Sequence, residues 1–140
     1  MAVAAYLLDT SAAHRLGTPA VRDVVAPLLE RYLVATCGIT NLEALFSART
    51  PDEYERWWTY RNTAFEYLDT LEADWQRAQE VQRMLAARSE LRSVKIPDLL
   101  IAAVAEREGL MVLHYDEDFD RIAALTGQPV QWVVDRGTVA

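Results

Sequence analysis

A chain of 140 residues, 51% of them hydrophobic and with a net charge of −7, fits one compact domain that buries about two-thirds of its unfolded surface and needs no covalent staple. Its one cysteine, Cys37, excludes an internal disulfide and a cysteine metal cluster, and no apolar run approaches the roughly 18 residues of a membrane span. Met1-Ala2-Val3-Ala4-Ala5 lacks the basic opening of a signal peptide, so a soluble, cytoplasmic protein with no membrane attachment is expected.

Strand and helix patterns alternate along the chain without a linker, a repeat or a low-complexity segment. Val3 to Leu8 reads as a short buried parallel strand that stops at Asp9, where Thr10 and Ser11 supply helix-starting hydroxyls and a short helix carries His14. Thr18-Pro19 starts the next helix, and Pro27 predicts that residues 19 to 31 divide into two short helices. Leu33 to Thr36 is a second strand. Thr40 to Ala48 opens with Glu43 three places after Thr40, a capping-box spacing, and Thr50-Pro51-Asp52-Glu53 starts a helix carrying Trp57 and Trp58.

Phe65 to Leu68 is a third strand. Leu71, Trp75, Ala78, Val81 and Leu85 recur at helical spacing and predict an amphipathic helix on the sheet, with Arg77, Glu80 and Arg83 on its wet side. Pro97 to Glu108 is a strongly apolar helix closed by Gly109, followed by a strand over Leu110 to Leu113, a helix of about two turns after Asp118, and a last strand over Val130 to Val134. The expected fold is α/β: a single domain over residues 1–140, with its core over about 3–134, built as a mainly parallel sheet between helical layers.

Helical crossovers force parallel strands, and ligands of such sheets bind beyond the strand carboxyl ends. Asp9 and Asp116 fall there, while Glu43 and Asp98 occupy first turns of helices whose positive ends tolerate carboxylates. Each acid also has a structural reading. Asp9 suits a cap, Glu43 the capping box with Thr40, Asp98 the helix dipole after Pro97, and Asp116 opens a run of acids with Glu117, Asp118 and Asp120 that suits a solvated helix start. Separate caps give no reason for these neighbours to occur in this order.

That order is Leu7-Leu8-Asp9-Thr10-Ser11, Thr40-Asn41-Leu42-Glu43, Pro97-Asp98-Leu99-Leu100-Ile101-Ala102-Ala103, then His114-Tyr115-Asp116-Glu117-Asp118-Phe119-Asp120 and Gly127-Gln128-Pro129-Val130-Gln131-Trp132. It resembles the PIN-domain ribonucleases, specifically the VapC-type toxins of toxin–antitoxin pairs, from about Tyr6 to about Val133. The resemblance implies a three-layer α/β/α sandwich and an endoribonuclease that cleaves structured RNA such as tRNA or rRNA to 5′-phosphate and 3′-hydroxyl ends. It places the four acidic catalytic and metal-ligating positions on Asp9, Glu43, Asp98 and Asp116, the accompanying hydroxyl on Thr10 or Ser11, and an additional acid on Asp118. It further implies a homodimer neutralised by a cognate VapB-type antitoxin.

Charge explains why such a set needs an ion. Carboxylates about 5 Å apart repel by roughly 3 kcal/mol at an effective dielectric of 20, so converging acids require a cation, and hard oxygen donors suit Mg²⁺ or Mn²⁺. Arg88, Arg92 and Lys95 lead into Asp98 and are candidate RNA-backbone contacts, with a solvated helix end as their plainer reading. His14 and His114 read as packing residues and Cys37 as a small buried hydrophobe. The aromatic group Tyr54, Trp57, Trp58 and Tyr60 reads as a core or dimer seam ahead of a base-stacking platform.

Two other classes fit parts of the pattern. A receiver-type phosphoacceptor domain would use Asp69, after the third strand, but Asp9 has no acidic neighbour to share a metal, and the only lysine, Lys95, does not end a strand. A haloacid-type phosphatase needs an acid where Ser11 stands. A catalytically silent, partner-binding PIN domain would not require all four acids to be present.

Overall fold

The computed structural model describes residues 3–140. Apolar runs too short for helices become strands, and longer segments with one apolar stripe become the helices that cover them. In chain order these are β1 (Tyr6–Leu8), α1 (Thr10–Ala13), α2 (Pro19–Glu30), β2 (Val34–Cys37), α3 (Gly38–Phe46) and α4 (Pro51–Ala64). The second half adds β3 (Glu66–Leu68), α5 (Glu72–Ala87), α6 (Ile96–Glu108), β4 (Met111–His114), α7 (Asp118–Thr126) and β5 (Val130–Trp132). Every strand pair is parallel, in the order β3-β2-β1-β4-β5, with Leu8 opposite Leu113 and His114 opposite Trp132.

Alternation along the strands divides the core. Leu7 packs with Ala78, Val81 and Leu85 of α5, Ile101 and Val104 of α6, and Phe119 and Ile122 of α7. Leu8, its neighbour, points to the opposite face among Ala12, Val21, Val25, Phe65 and Leu113. The result is the expected three-layer α/β/α sandwich. Each fully buried Leu, Ile or Phe contributes about 1.5–3 kcal/mol relative to exposure, so both clusters hold their helices against the sheet.

Several local expectations change. The first strand is shorter than residues 3 to 8, because the Val3 and Ala4 N–H groups donate to Glu66 Oε1 at 2.9 and 2.7 Å instead of to a ladder. Residues 19 to 30 form one helix with Pro27 inside it. Pro27 lies on the exposed face, where water can satisfy the carbonyl that loses its partner, while Val21 and Val25 hold the buried face in place.

In α5 the inward stripe begins at Asp74, not at Leu71 and Trp75, both of which are exposed. Asp74 tolerates burial because Arg107 of α6 binds it through two nitrogens at 2.9 and 3.1 Å and the Leu71 N–H donates to it at 2.8 Å. Arg77 likewise is half-buried, its Nε 2.8 Å from Glu106 Oε1. Gly109 ends α6 with φ 71°, the left-handed cap position that favours glycine.

Candidate active site at the sheet switch point

The chain leaves β1 toward β2 and β3 on one side and returns through β4 and β5 on the other, so the strand order reverses between β1 and β4. A crevice opens at the carboxyl ends of strands at such a point. Asp9 directly follows β1 and Asp116 lies two residues beyond β4, so the acids flank the crevice from both sides. The loops are tied together by Ser11, whose Oγ accepts the Tyr115 N–H at 2.9 Å and donates to Asp9 Oδ2. The Asp9 N–H donates to the Leu113 carbonyl at 3.0 Å.

Asp9 is both a cap and something more. Its Oδ2 accepts the Ser11 N–H at 3.0 Å at the start of α1, while its Oδ1 is buried without any hydrogen-bond partner among the described residues. Burial raises its pKa, against the hydrogen bonds from Ser11 and Thr10 and with the charge of Asp116 adding to the rise.

Glu43 is released from the capping role its spacing suggests. Helix α3 starts at Gly38, Thr40 lies inside its first turn, and Thr40 Oγ1 accepts the Cys37 N–H at 2.9 Å. Glu43 instead faces Thr10, whose hydroxyl donates to Oε1 at 3.2 Å. Partial burial and then the charge of Asp9 raise its pKa.

The remaining acids converge more tightly. Carboxylate oxygens of Asp98, Asp116 and Asp118 lie within 4.8 Å of one another. Asp9 does not join that closest set among the described residues, and Asp118, expected only as an accessory, does. The reason is local: Asp118 starts α7 with its side chain buried, and Asp116 Oδ1 accepts the Asp118 N–H at 3.0 Å, which folds the two acids toward each other. Asp98 is 4% exposed in the first turn of α6, and its Oδ2 makes no hydrogen bond among the described residues.

Burial, followed by a proton shared with Asp118 and the charge of Asp9, raises the Asp98 pKa strongly. Asp118 moves the other way. Burial works to raise it, but the hydrogen bonds from Asp98 and Lys95 prevail and hold it below the ordinary carboxylate range.

Lys95 sits in the middle of this negative charge. Its Nζ is 2.7 Å from Asp116, 2.7 Å from Asp118 and 3.4 Å from Asp98. The expectation that it guides an RNA backbone alongside Arg88 and Arg92 therefore divides. Arg88 caps α5 and lies 3.9 Å from Glu90, and Arg92 is exposed in the connection to α6, neither of them paired with the site acids among the described residues. A lysine next to an acid four residues from a strand end carries no sequence signal for such a contact, since it depends on how α6 and β4 are placed.

A buried Asp9 oxygen without a hydrogen bond among the described residues, an all-carboxylate donor set and a protein cation already seated among the acids fit a hard divalent ion. Asp98, Asp116 and Asp118 would hold it, with Asp9 and Glu43 facing the same crevice. Residues 6–125 match the PIN-domain family. The chain is also 56% identical over 133 residues to ribonuclease VapC21 of Mycobacterium tuberculosis, covering 95% of this chain and 96% of that one.

The chain belongs to the PIN-domain family, in its VapC branch.

Ribonuclease VapC51 of the same organism is 53% identical over 134 residues, with 96% of each chain covered. The fold matches VapBC2 from Rickettsia felis, solved bound to a promoter DNA fragment, with TM-score 0.73, 16% identity and coverage of 91% and 98%. It also matches VapBC-1 from nontypeable Haemophilus influenzae, with TM-score 0.74, 18% identity and coverage of 93% and 98%. VapC membership removes the receiver reading, and the sheet agrees, since Asp69 follows the edge strand β3, two places from β1.

In this VapC chain His114 packs between Phe119 and Trp132, ring centroids 5.1 and 5.0 Å away. Its Nδ1 accepts the Asp116 N–H at 3.1 Å, and burial lowers its pKa to about 4, so it is neutral. Its packing accords with the sequence reading, and its Nε2 is buried without a hydrogen bond among the described residues, 3.9 Å from Asp120 Oδ1. Cys37 is buried and its thiol pKa is raised by that burial, in keeping with an inert side chain.

Proposed function

We propose that this VapC chain is a divalent-metal-dependent endoribonuclease toxin that hydrolyses structured RNA, such as tRNA or rRNA, and is neutralised by a cognate VapB-type antitoxin. The observation that supports it most is the convergence of Asp98, Asp116 and Asp118 beside Asp9 at the switch point, with Lys95 Nζ seated among them and Asp9 Oδ1 buried without a hydrogen bond among the described residues. The near-full-length match to proteins named ribonucleases supplies the reaction class.

Mg²⁺ or Mn²⁺, when bound, supplies Lewis-acid stabilisation of the phosphate oxygens and acidifies a bound water. The chain's own groups do the rest. Asp98, Asp116 and Asp118 present oxygens to the ion, and Asp118 also fixes the start of α6 by accepting the Lys95 N–H at 3.0 Å. Glu43, with its raised pKa and its orientation set by the Thr10 hydroxyl, is placed to receive a proton from an attacking water. Asp9 Oδ1 offers the free lone pairs that orient that water, while Ser11 keeps Oδ2 occupied.

The partner surface lies next to the acids. Leu42 and Phe46 of α3 are 68% and 91% exposed and line a depression with Thr10, His14 and Glu43. It neighbours a cavity of about 450 Å³ lined by Leu16, Ala44, Trp57, Tyr60 and Phe65. Exposed apolar side chains of that size fit an antitoxin segment that crosses the active site, and Trp58 and Tyr54, stacked at 6.4 Å on α4, fit a homodimer seam. No helix is long and apolar enough to cross a membrane among the described residues, and a cytoplasmic site of action accords with RNA as substrate.

The test is cleavage of total tRNA and rRNA by the purified chain freed of partner, with Mg²⁺, with Mn²⁺ and with EDTA. Asp9→Asn and Asp98→Asn are each expected to lower cleavage by at least a hundredfold with the fold intact by circular dichroism. Undiminished cleavage in EDTA, or by either variant, refutes the corresponding assignment.

A further inference from the structure

The Lys95 ammonium sits among the three carboxylates that would hold a divalent ion, and its side chain alone would have to turn away to free them. Its Nζ reaches Asp116, Asp118 and Asp98 at 2.7, 2.7 and 3.4 Å, and these are the three acids whose oxygens converge. The backbone at Lys95 is anchored separately: the residue precedes the first turn of α6, and its N–H is held by Asp118 at 3.0 Å. The side chain is 62% exposed, so it can swing toward solvent without moving α6.

An ammonium and a doubly charged ion cannot share those oxygens, because like charges in ion-pair range repel strongly. Once displaced, the ammonium stays tethered at the mouth of the crevice. Among the described residues, Asp9, Glu43, Asp98, Asp116 and Asp118 lie along that crevice, so one divalent ion would leave the region negative, and an incoming phosphodiester would need a further cation there. Arg121 also touches Asp118, at 3.4 Å, but it is committed to Glu117 at 2.9 Å and to the Ser93 carbonyl at 3.2 Å. Among the described residues, Lys95 is the cation at these acids that is free to move.

We propose that Lys95 is a displaceable resident cation: it holds the acids together without metal, competes with the metal for Asp98, Asp116 and Asp118, and on leaving turns its charge to the RNA phosphate. This rests on the metal-dependent reading of the site and adds to it the residue that sets metal affinity and couples metal loading to substrate binding.

The test compares the wild-type chain, Lys95→Met and Lys95→Arg, each freed of partner, by calorimetric titration with Mn²⁺. Lys95→Met is expected to bind Mn²⁺ roughly tenfold tighter than wild type, since the competitor is gone, and Lys95→Arg to stay near wild type. With Mg²⁺ saturating, binding of a 2′-O-methylated stem–loop RNA should weaken severalfold in Lys95→Met, and its salt slope should fall by about 0.7, the loss of one phosphate contact. Lys95 is the only lysine, so lysine-selective labelling gives the wild-type chain a single side-chain signal, which Mg²⁺ should shift. That measurement needs no variant to fold. Mn²⁺ binding by wild type with unchanged affinity in Lys95→Met, or a Lys95 signal indifferent to Mg²⁺, overturns the proposal alone. Absence of Mn²⁺ binding in all three proteins overturns the metal reading and this proposal with it.

Discussion

Asp98→Asn should stabilise the metal-free protein while disabling it. At an effective dielectric of 20, Asp116 and Asp118, with oxygens no farther than 4.8 Å away, each repel an ionised Asp98 by at least about 3.5 kcal/mol. Lys95 Nζ at 3.4 Å returns about 5 kcal/mol, and its exposure screens that attraction further. The balance is about 2 kcal/mol against the charged form before the burial of the carboxylate is counted. An amide keeps the shape without the charge, so at pH 8 in EDTA the variant should melt about 7 °C higher, from an unfolding entropy of about 2.1 cal/mol/K per residue.

The pH dependence has a definite sign. The Asp98 pKa is raised in the folded state, so from the ordinary carboxylate range upward the native chain holds a proton the unfolded chain has released. Stability therefore falls as pH rises through that window, by up to about 1.4 kcal/mol per pH unit for one such group. Asp9 and Glu43 are raised as well and keep part of this slope in the variant, which should be shallower than wild type but not flat. The assay is thermal melting from pH 5 to 9 in EDTA, repeated with Mg²⁺. Excess Mg²⁺ at about a hundred times its dissociation constant should restore about 2.7 kcal/mol to wild type and nothing to Asp98→Asn. A variant that melts at or below wild type at pH 8 in EDTA refutes this electrostatic account.

Asp74→Ala should cost about 1–2 kcal/mol in urea unfolding, since it takes a buried carboxylate from the exposed Arg107 and leaves the Leu71 N–H without its acceptor; no loss at all would mean that water replaces both contacts. Phe46→Ser together with Leu42→Ser should leave the melting temperature within about 1 °C, both side chains being exposed, and should weaken calorimetric binding of the antitoxin by at least tenfold. Unchanged antitoxin affinity would move the partner surface elsewhere.

Much of this protein was legible before folding because parallel α/β chains write their layers as local patterns. Buried strands read as short apolar runs, helices as 3.6-residue stripes, and the acids at the ends of β1 and β4 were placed by that pattern alone. The misreadings lie where a distant partner outweighs local preference. Trp75 has the apolar character the stripe asks for, yet Asp74 takes the inward place because Arg107, on another helix, neutralises it. Thr40 and Glu43 have capping-box spacing, yet the helix starts earlier and leaves Glu43 to Thr10. Pro27 fails to divide α2 because tertiary packing of Val21 and Val25 exceeds the cost of one missing hydrogen bond on a wet face.

By itself, then, the order of residues determined the strands, the helices and the layers they form, because each apolar run or stripe is decided within a few residues of chain. Only the tertiary structure decided which oxygens meet, that Asp118 stands with Asp98 and Asp116, and that Lys95 rests among them. Electrostatic energy depends on distance in space, and the pair Lys95 and Asp98 meets the pair Asp116 and Asp118 only when α6 and the loop after β4 dock on the same edge of the sheet.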